Sequence, residues 1–167
     1  MAITMITGGH GAGKTTMALQ IAAGYPSKTY IATAEDIDGE MHDKIEKHKK
    51  ERDESYTTIE EPLELAKAVA SAPGKLIIVD CLTLWVNNLI FYKADIDKMK
   101  ADFLHALSES AYDTVLVTNE SSMAVVPGDP LSRKYLKNLA NLNSAVAAMA
   151  DRVCMMVSGI PLWIKGK

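Results

Sequence analysis

The chain has 167 residues, 48% of them hydrophobic and 23% charged, which suits one core and no second domain. Its formal net charge of -3 disfavours bulk binding to DNA or RNA, because no broad basic surface is available to neutralise a phosphate backbone. No window approaches the ~18 apolar residues of a spanning helix, and the opening "MAITMITGG" has neither a basic leader nor a cleavage site, so the expected compartment is the cytoplasm.

The first element is a buried strand, "AITMIT". It runs into "GGHGAGKTT", in which Gly8, four residues and Gly13-Lys14-Thr15 fit the phosphate-loop pattern G-x-x-x-x-G-K-[ST]. In such a loop, glycines let backbone N–H groups converge on phosphates and the following helix adds its positive end. Lys14 reaches the β and γ oxygens, and the Thr15 hydroxyl can ligand Mg²⁺. A glycine-rich turn with an incidental lysine is the competing reading. The loop's place between a strand and a helix argues against it.

The helix that starts in the loop ends near Gly24 and Pro26, and "KTYIAT" is the next strand. Helical patterns follow over 36–52 and 62–71. "KLIIVD" is a third buried strand that ends on Asp80. An acid there can hold Mg²⁺ directly or through water, deprotonate an acceptor hydroxyl, or merely cap the next helix. Helices are predicted over 83–92 and 95–110, then the strand "TVLVT", which delivers Asn119 and Glu120 to the same crevice at the carboxyl ends of the strands. A helix over 131–150, the strand "RVCMMV" and an antiparallel edge strand in "SGIPLWIK" complete the chain. The alternation predicts an α/β fold, a mostly parallel sheet flanked by helices. Cys81 and Cys154 lie in apolar runs and read as small buried hydrophobes.

The segment "EDIDGEMHDKIEKHKKERDE" is charged enough for a solvated helix, yet Ile37, Met41 and Ile45 make one apolar stripe. At 100° per residue, His48 falls about 20° from Ile37 and Arg52 about 60° away, so both face the body of the protein. His42 and His105 fall on solvent faces. An inward histidine is usually a packing residue. Here Lys49, Lys50 and Arg52 surround it with positive charge, which favours a neutral imidazole able to attack phosphorus. Lys50 also reads as part of a solvated face.

The ordered set "GGHGAGKT", "YIATAE", "DGEMHDKIEKHKKER", "VDCLTLWVNNLIF", "VLVTNE", "VVP" followed by Arg133, "LNSAVAAMAD" and "VSGIPL" resembles the bifunctional adenosylcobinamide kinase/adenosylcobinamide-phosphate guanylyltransferases, nearly end to end. The resemblance implies a RecA-like P-loop fold over 1–167. It implies an enzyme of cobalamin assembly that phosphorylates adenosylcobinamide and then transfers GMP from GTP through a GMP-histidine, matched here by His48. It implies catalysis by His48, Lys14 and Asp80, with Mg²⁺ on Thr15 and Asp80. The nucleotide site would comprise Gly8, Gly9, His10, Gly11, Ala12, Gly13, Lys14 and Thr15, together with Thr33, Ala34, Glu35, Lys49, Lys50, Glu51, Arg52, Glu60 and Asp80. Members are trimers, and either ATP or GTP can be the kinase donor. The chain departs from common family residues at Gly11-Ala12, Asp53, Tyr56 and Asp80, changes that keep chemical type at the acid and the ring but remove a loop cation.

Two other readings remain at this stage: a small-molecule kinase without nucleotidyl transfer, and a nucleotide-dependent switch or motor subunit. The second fits poorly with a chain that lacks a basic patch. Trp85 and the Val125-Val126-Pro127 loop are candidates to meet a large apolar ligand, though Trp85 shares a helical stripe with Leu82, Val86 and Leu89 and so reads as core.

Overall fold

Residues 1–35, 49, 52–123 and 125–166 are described in a computed structural model. Seven strands form one sheet: β1 (Ile3–Gly8), β2 (Lys28–Ala32), β3 (Tyr56–Glu60), β4 (Leu76–Asp80), β5 (Asp113–Val117), β6 (Arg152–Val157) and β7 (Ile160–Lys165), in the order β3-β2-β4-β5-β1-β6-β7. The first six are parallel, and β7 returns antiparallel against β6 through Ser158 and Gly159, both at positive φ. The expected edge strand is therefore present.

Five helices are described: α1 (Lys14–Ala22), α2 (Leu65–Ser71), α3 (Leu82–Phe91), α4 (Ile96–Glu109) and α5 (Pro130–Met149). Their starts follow local chemistry. Asp95 caps α4 by accepting the Lys98 N–H, and Asp129 caps α5 by accepting that of Ser132 with Pro130 in the first turn. The helix expected from 62 begins at Leu65 instead. Glu61 Oε1 accepts the N–H groups of Leu63 and Glu64, and that turn consumes the first three residues. The helix expected over 36–52 lies outside the described residues except at its end, where Lys49 is helical and Arg52 is not.

The strands alternate their side chains between two apolar layers. Ile3 and Met5 of β1 and Ile77 and Val79 of β4 pack with α2 to α5 around Trp85, Phe103 and Leu142. Ile6 of β1 and Leu76 and Ile78 of β4 pack on the opposite face with Ala18 and Ala22 of α1. Small residues there let α1 lie close to the sheet. The same two-residue period carries Asp80, in step with Leu76 and Ile78, to the face that holds α1. It carries Thr7, in step with Ile3 and Met5, to the face that holds α5.

Trp85 is fully buried, 5.1 Å from the Phe103 ring, and its Nε1 donates to Leu63 O at 2.8 Å. It is core, as its spacing predicts. Cys154 is buried and Cys81 partly so. Among the described residues, no helix is long and apolar enough to cross a membrane.

Candidate active site

Strand β1 ends on Gly8, where the chain must turn sharply. Its φ is 143°, and a Cβ there would stand 2.4 Å from Met156 O on β6. Neither the backbone nor the neighbouring strand can yield. Gly8→Ala is expected to cost about 2 kcal/mol or more, read as a lowered thermal midpoint. Gly11 and Gly13 also have positive φ, and Gly13 caps α1 without any side-chain hydrogen bond. The first-turn N–H groups of α1 have no intrahelical acceptor, and their positive end faces the loop.

Lys14 is buried, and its Nζ donates to Gly9 O at 2.6 Å, folding back across the cradle. Burial lowers its pKa, with Cys81 and Asp80 partly opposing. A bound anion would supply the charge that this ammonium lacks.

Asp80 lies at the carboxyl end of β4, separated from β1 by β5, and α1 bridges the gap. Thr15 Oγ1 donates to Asp80 Oδ2 at 2.7 Å, and Tyr30 OH donates to the same oxygen at 2.7 Å. The capping reading of Asp80 is thereby set aside, since the N-cap of α3 is Cys81 and the carboxylate is turned to Thr15 and Tyr30. A hydroxyl and a carboxylate side by side are the hard oxygen donors that Mg²⁺ takes. No group of three His, Cys, Asp or Glu side chains suited to a metal occurs among the described residues. The pair therefore fits an ion that completes its shell with phosphate and water.

Tyr30 is a site residue that sequence reasoning missed. Burial, then the Asp80 carboxylate, pushes its phenol pKa far up, so it stays a donor. The Arg52 guanidinium lies 4.1 Å from its ring centroid, and Arg52 Nη1 is buried without a hydrogen-bond partner. The inward direction expected for Arg52 is borne out. One phenol thus joins the acid at the sheet to a cation arriving from the 36–52 segment.

The other expected residues distribute around this centre. Thr33 N donates to Asp80 O at 3.2 Å, and the buried Thr33 hydroxyl donates to Cys81 O and accepts the Cys81 N–H, fastening β2 to β4. Ala34 is half-buried beside it. Glu35 accepts from Tyr92 OH at 2.8 Å, and Glu60, at the end of β3, pairs with Lys49 at 2.9 Å. Glu120 N donates to Gly8 O, and Asn119 is held through its backbone by Thr83 and Asn143. His105 is exposed as expected. His42, His48, Lys50 and Glu51 lie outside the described residues.

Three comparisons bear on this geometry. Solved structures share the fold alone. Flagellar accessory protein FlaH from Methanocaldococcus jannaschii aligns over 99% of this chain and 79% of its own with TM-score 0.56 and 14% identity. A KaiC-like protein from Pyrococcus horikoshii aligns over 99% and 80% with TM-score 0.53 and 18% identity. Sequence relatives are nearer. The chain is 38% identical over 168 residues to the bifunctional adenosylcobalamin biosynthesis protein CobP of Pseudomonas aeruginosa, covering 98% of this chain and 97% of that one. It is 31% identical over 178 residues to CobU of Escherichia coli, described in the same words, covering 96% and 98%. The pattern of one family spans residues 4–164, nearly the whole chain: the chain belongs to the cobinamide kinase / cobinamide phosphate guanyltransferase family.

Proposed function

We propose that this enzyme phosphorylates adenosylcobinamide and then transfers GMP from GTP to the product through a GMP adduct on His48, with both reactions served by one phosphate cradle. The observation that carries the reading is the chain of contacts that starts at Asp80: the phosphate-loop hydroxyl of Thr15 and the phenol of Tyr30 both donate to its carboxylate, and the cation of Arg52 lies against the Tyr30 ring. His48 is four residues before Arg52, a span no longer than about 14 Å of extended chain, which supports its working on the same bound triphosphate.

For guanylyl transfer, the N–H groups from Gly8 to Thr15 and the Lys14 ammonium hold the β and γ phosphates and orient the α-phosphorus toward His48. Thr15 and Asp80 would hold a Mg²⁺ ion, which would supply charge neutralisation to the pyrophosphate leaving group. A neutral imidazole nitrogen of His48 attacks the α-phosphorus, and the bond to the bridging oxygen of pyrophosphate breaks. A phosphate oxygen of the acceptor then attacks the same phosphorus, and the P–N bond breaks to free the histidine. Arg52, with a buried and unpartnered Nη1, is the cation suited to the α-phosphate during both displacements. For the kinase reaction the acceptor hydroxyl attacks the γ-phosphorus, Asp80 takes its proton, and ATP or GTP is the donor. Thr33, Ala34, Glu35, Lys49, Lys50, Glu51 and Glu60 complete the nucleotide's surroundings. The working form is a cytoplasmic trimer.

Incubating the purified protein with GTP labelled at the α-phosphate is expected to leave one GMP on the protein, labile in acid and stable in base. Adding phosphorylated adenosylcobinamide is expected to discharge it. Protein that turns over adenosylcobinamide phosphate but never carries label would overturn the histidine route.

A further inference from the structure

On the face of the sheet opposite α1, at the same carboxyl end of the strands, β1, β6 and β7 leave a cavity of about 220 Å³ against α5. Thr7, Glu120 and Ser144 are among its polar lining, and Leu136, Ala140 and Ile164 among its apolar lining. Thr7 immediately precedes the first loop glycine, and Glu120 N donates to Gly8 O at 3.0 Å. The cavity therefore adjoins the phosphate cradle from the side that α1 does not occupy.

One group in it is anomalous. Thr7 is 4% exposed, and its Oγ1 is buried without a hydrogen-bond partner. Asn143, which also lines the cavity, is turned to other partners, accepting from Thr118 Oγ1 at 2.8 Å and donating to Asn119 O at 3.0 Å. A buried hydroxyl left unpaired is disfavoured, so this one points to a partner outside the protein.

The lining selects among partners. None of its described lining residues is a lysine, arginine or histidine, and one is a carboxylate, which disfavours a phosphate or other anion. A purely apolar group would leave Thr7 unpaired and desolvate Glu120. A carboxamide satisfies both: its carbonyl accepts from the Thr7 hydroxyl, and its NH₂ donates to Glu120. Glu120 Oε1 already accepts from Ser122, and the second oxygen provides further lone pairs. The volume is below that of a whole-ligand site, so it takes one arm of a larger molecule. Further along the chain from the lining residues Glu120 to Ser122, Val125 and Val126 are 91% and 75% exposed, and Arg133 Nη1 donates to the backbone oxygens of Pro127 and Gly128 on the same loop. These valines offer apolar surface on which the body of such a molecule can lie.

We infer that this cavity is the subsite for a carboxamide arm of the acceptor, with Thr7 and Glu120 as its recognising groups. The inference rests on the reading of the acceptor as a cobinamide, whose name denotes the amide.

Equilibrium dialysis of adenosylcobinamide against the whole protein tests it without requiring turnover. Thr7→Val keeps the shape and removes the hydroxyl, and it is expected to weaken acceptor binding about fivefold to tenfold, the worth of one neutral hydrogen bond. Thr7→Ser, which keeps the hydroxyl, is expected to restore wild-type affinity. Ala140→Phe, which fills the cavity from α5, is expected to weaken the acceptor at least as much. GTP affinity should stay within about twofold in all three, since no anion site is touched. Unchanged acceptor binding in both Thr7→Val and Ala140→Phe, or a parallel loss of GTP binding in Thr7→Val, would overturn the subsite. Wild-type protein that binds adenosylcobinamide but converts it with no triphosphate would instead overturn the proposed activity and leave the subsite standing.

Discussion

Lys14→Met is expected to depress both phosphorylation of cobinamide and guanylyl transfer by about 10²–10³-fold or more, while the free protein stays at least as stable as wild type. The two halves of this expectation have one cause. Lys14 is buried, and burial lowers its pKa, so at neutral pH the fold carries an ammonium that would be better solvated in the unfolded chain. For a lysine with a lowered folded pKa, the penalty is present below that pKa. It is relieved as pH rises toward the ordinary lysine value, because the unfolded chain then releases the proton as well. Methionine removes that penalty and loses only the 2.6 Å hydrogen bond to Gly9 O, whose oxygen water can reach. A triphosphate inverts the balance, since its charge is what the buried ammonium lacks. Thermal melts with and without GTP check this: the variant should match or exceed wild type alone and gain much less on adding nucleotide. Loss of activity with a collapsed melting point would mean that the lysine holds the loop together instead.

Much of this arrangement was legible in the sequence because its determinants are local. The phosphate loop is a contiguous pattern, and Asp80 ends an unbroken apolar run, so both lie where the chain order predicts. The antiparallel tail is signalled by Gly159 and Pro161 between two short runs, and of these Gly159 makes the turn while Pro161 lies within the edge strand β7. Strand β3 was missed for a physical reason. It is an edge strand with Thr57 and Thr58 exposed, so "YTTIE" shows neither an apolar run nor a clean alternation, and only its β-branched content marks it. Tyr30 was read as one more strand residue. Its role depends on β2 lying beside β4 in a register that pairs Tyr30 with Ile78 and Ala32 with Asp80, and no local pattern encodes that. Thr7 was hidden similarly, as its partnerless hydroxyl exists only once β6 and α5 have packed around it. Interactions between segments far apart in sequence are where the legible part ends.

His48→Ala is expected to reduce guanylyl transfer by about 10⁴-fold or more while leaving phosphorylation of cobinamide within a few-fold of wild type. The asymmetry follows from what each reaction asks of the site. Phosphoryl transfer needs the cradle, Lys14 and the Thr15–Asp80 pair, all on elements of the sheet or α1. Guanylyl transfer through a covalent adduct also needs a nucleophile, and the proposed route assigns that part to His48 alone. The end of the 36–52 segment is anchored independently of His48, by Arg52 on the Tyr30 ring and Lys49 on Glu60, so truncating the imidazole removes the nucleophile without detaching the segment. The anchor also makes the outcome interpretable. Arg52→Ala should damage guanylyl transfer by weakening α-phosphate binding as well as by loosening the segment, whereas His48→Ala should spare GTP affinity. If the His48 variant still accumulates acid-labile GMP, another nucleophile is in use. If it loses both reactions equally, the imidazole serves the cradle as a whole and the two activities do not divide at this residue.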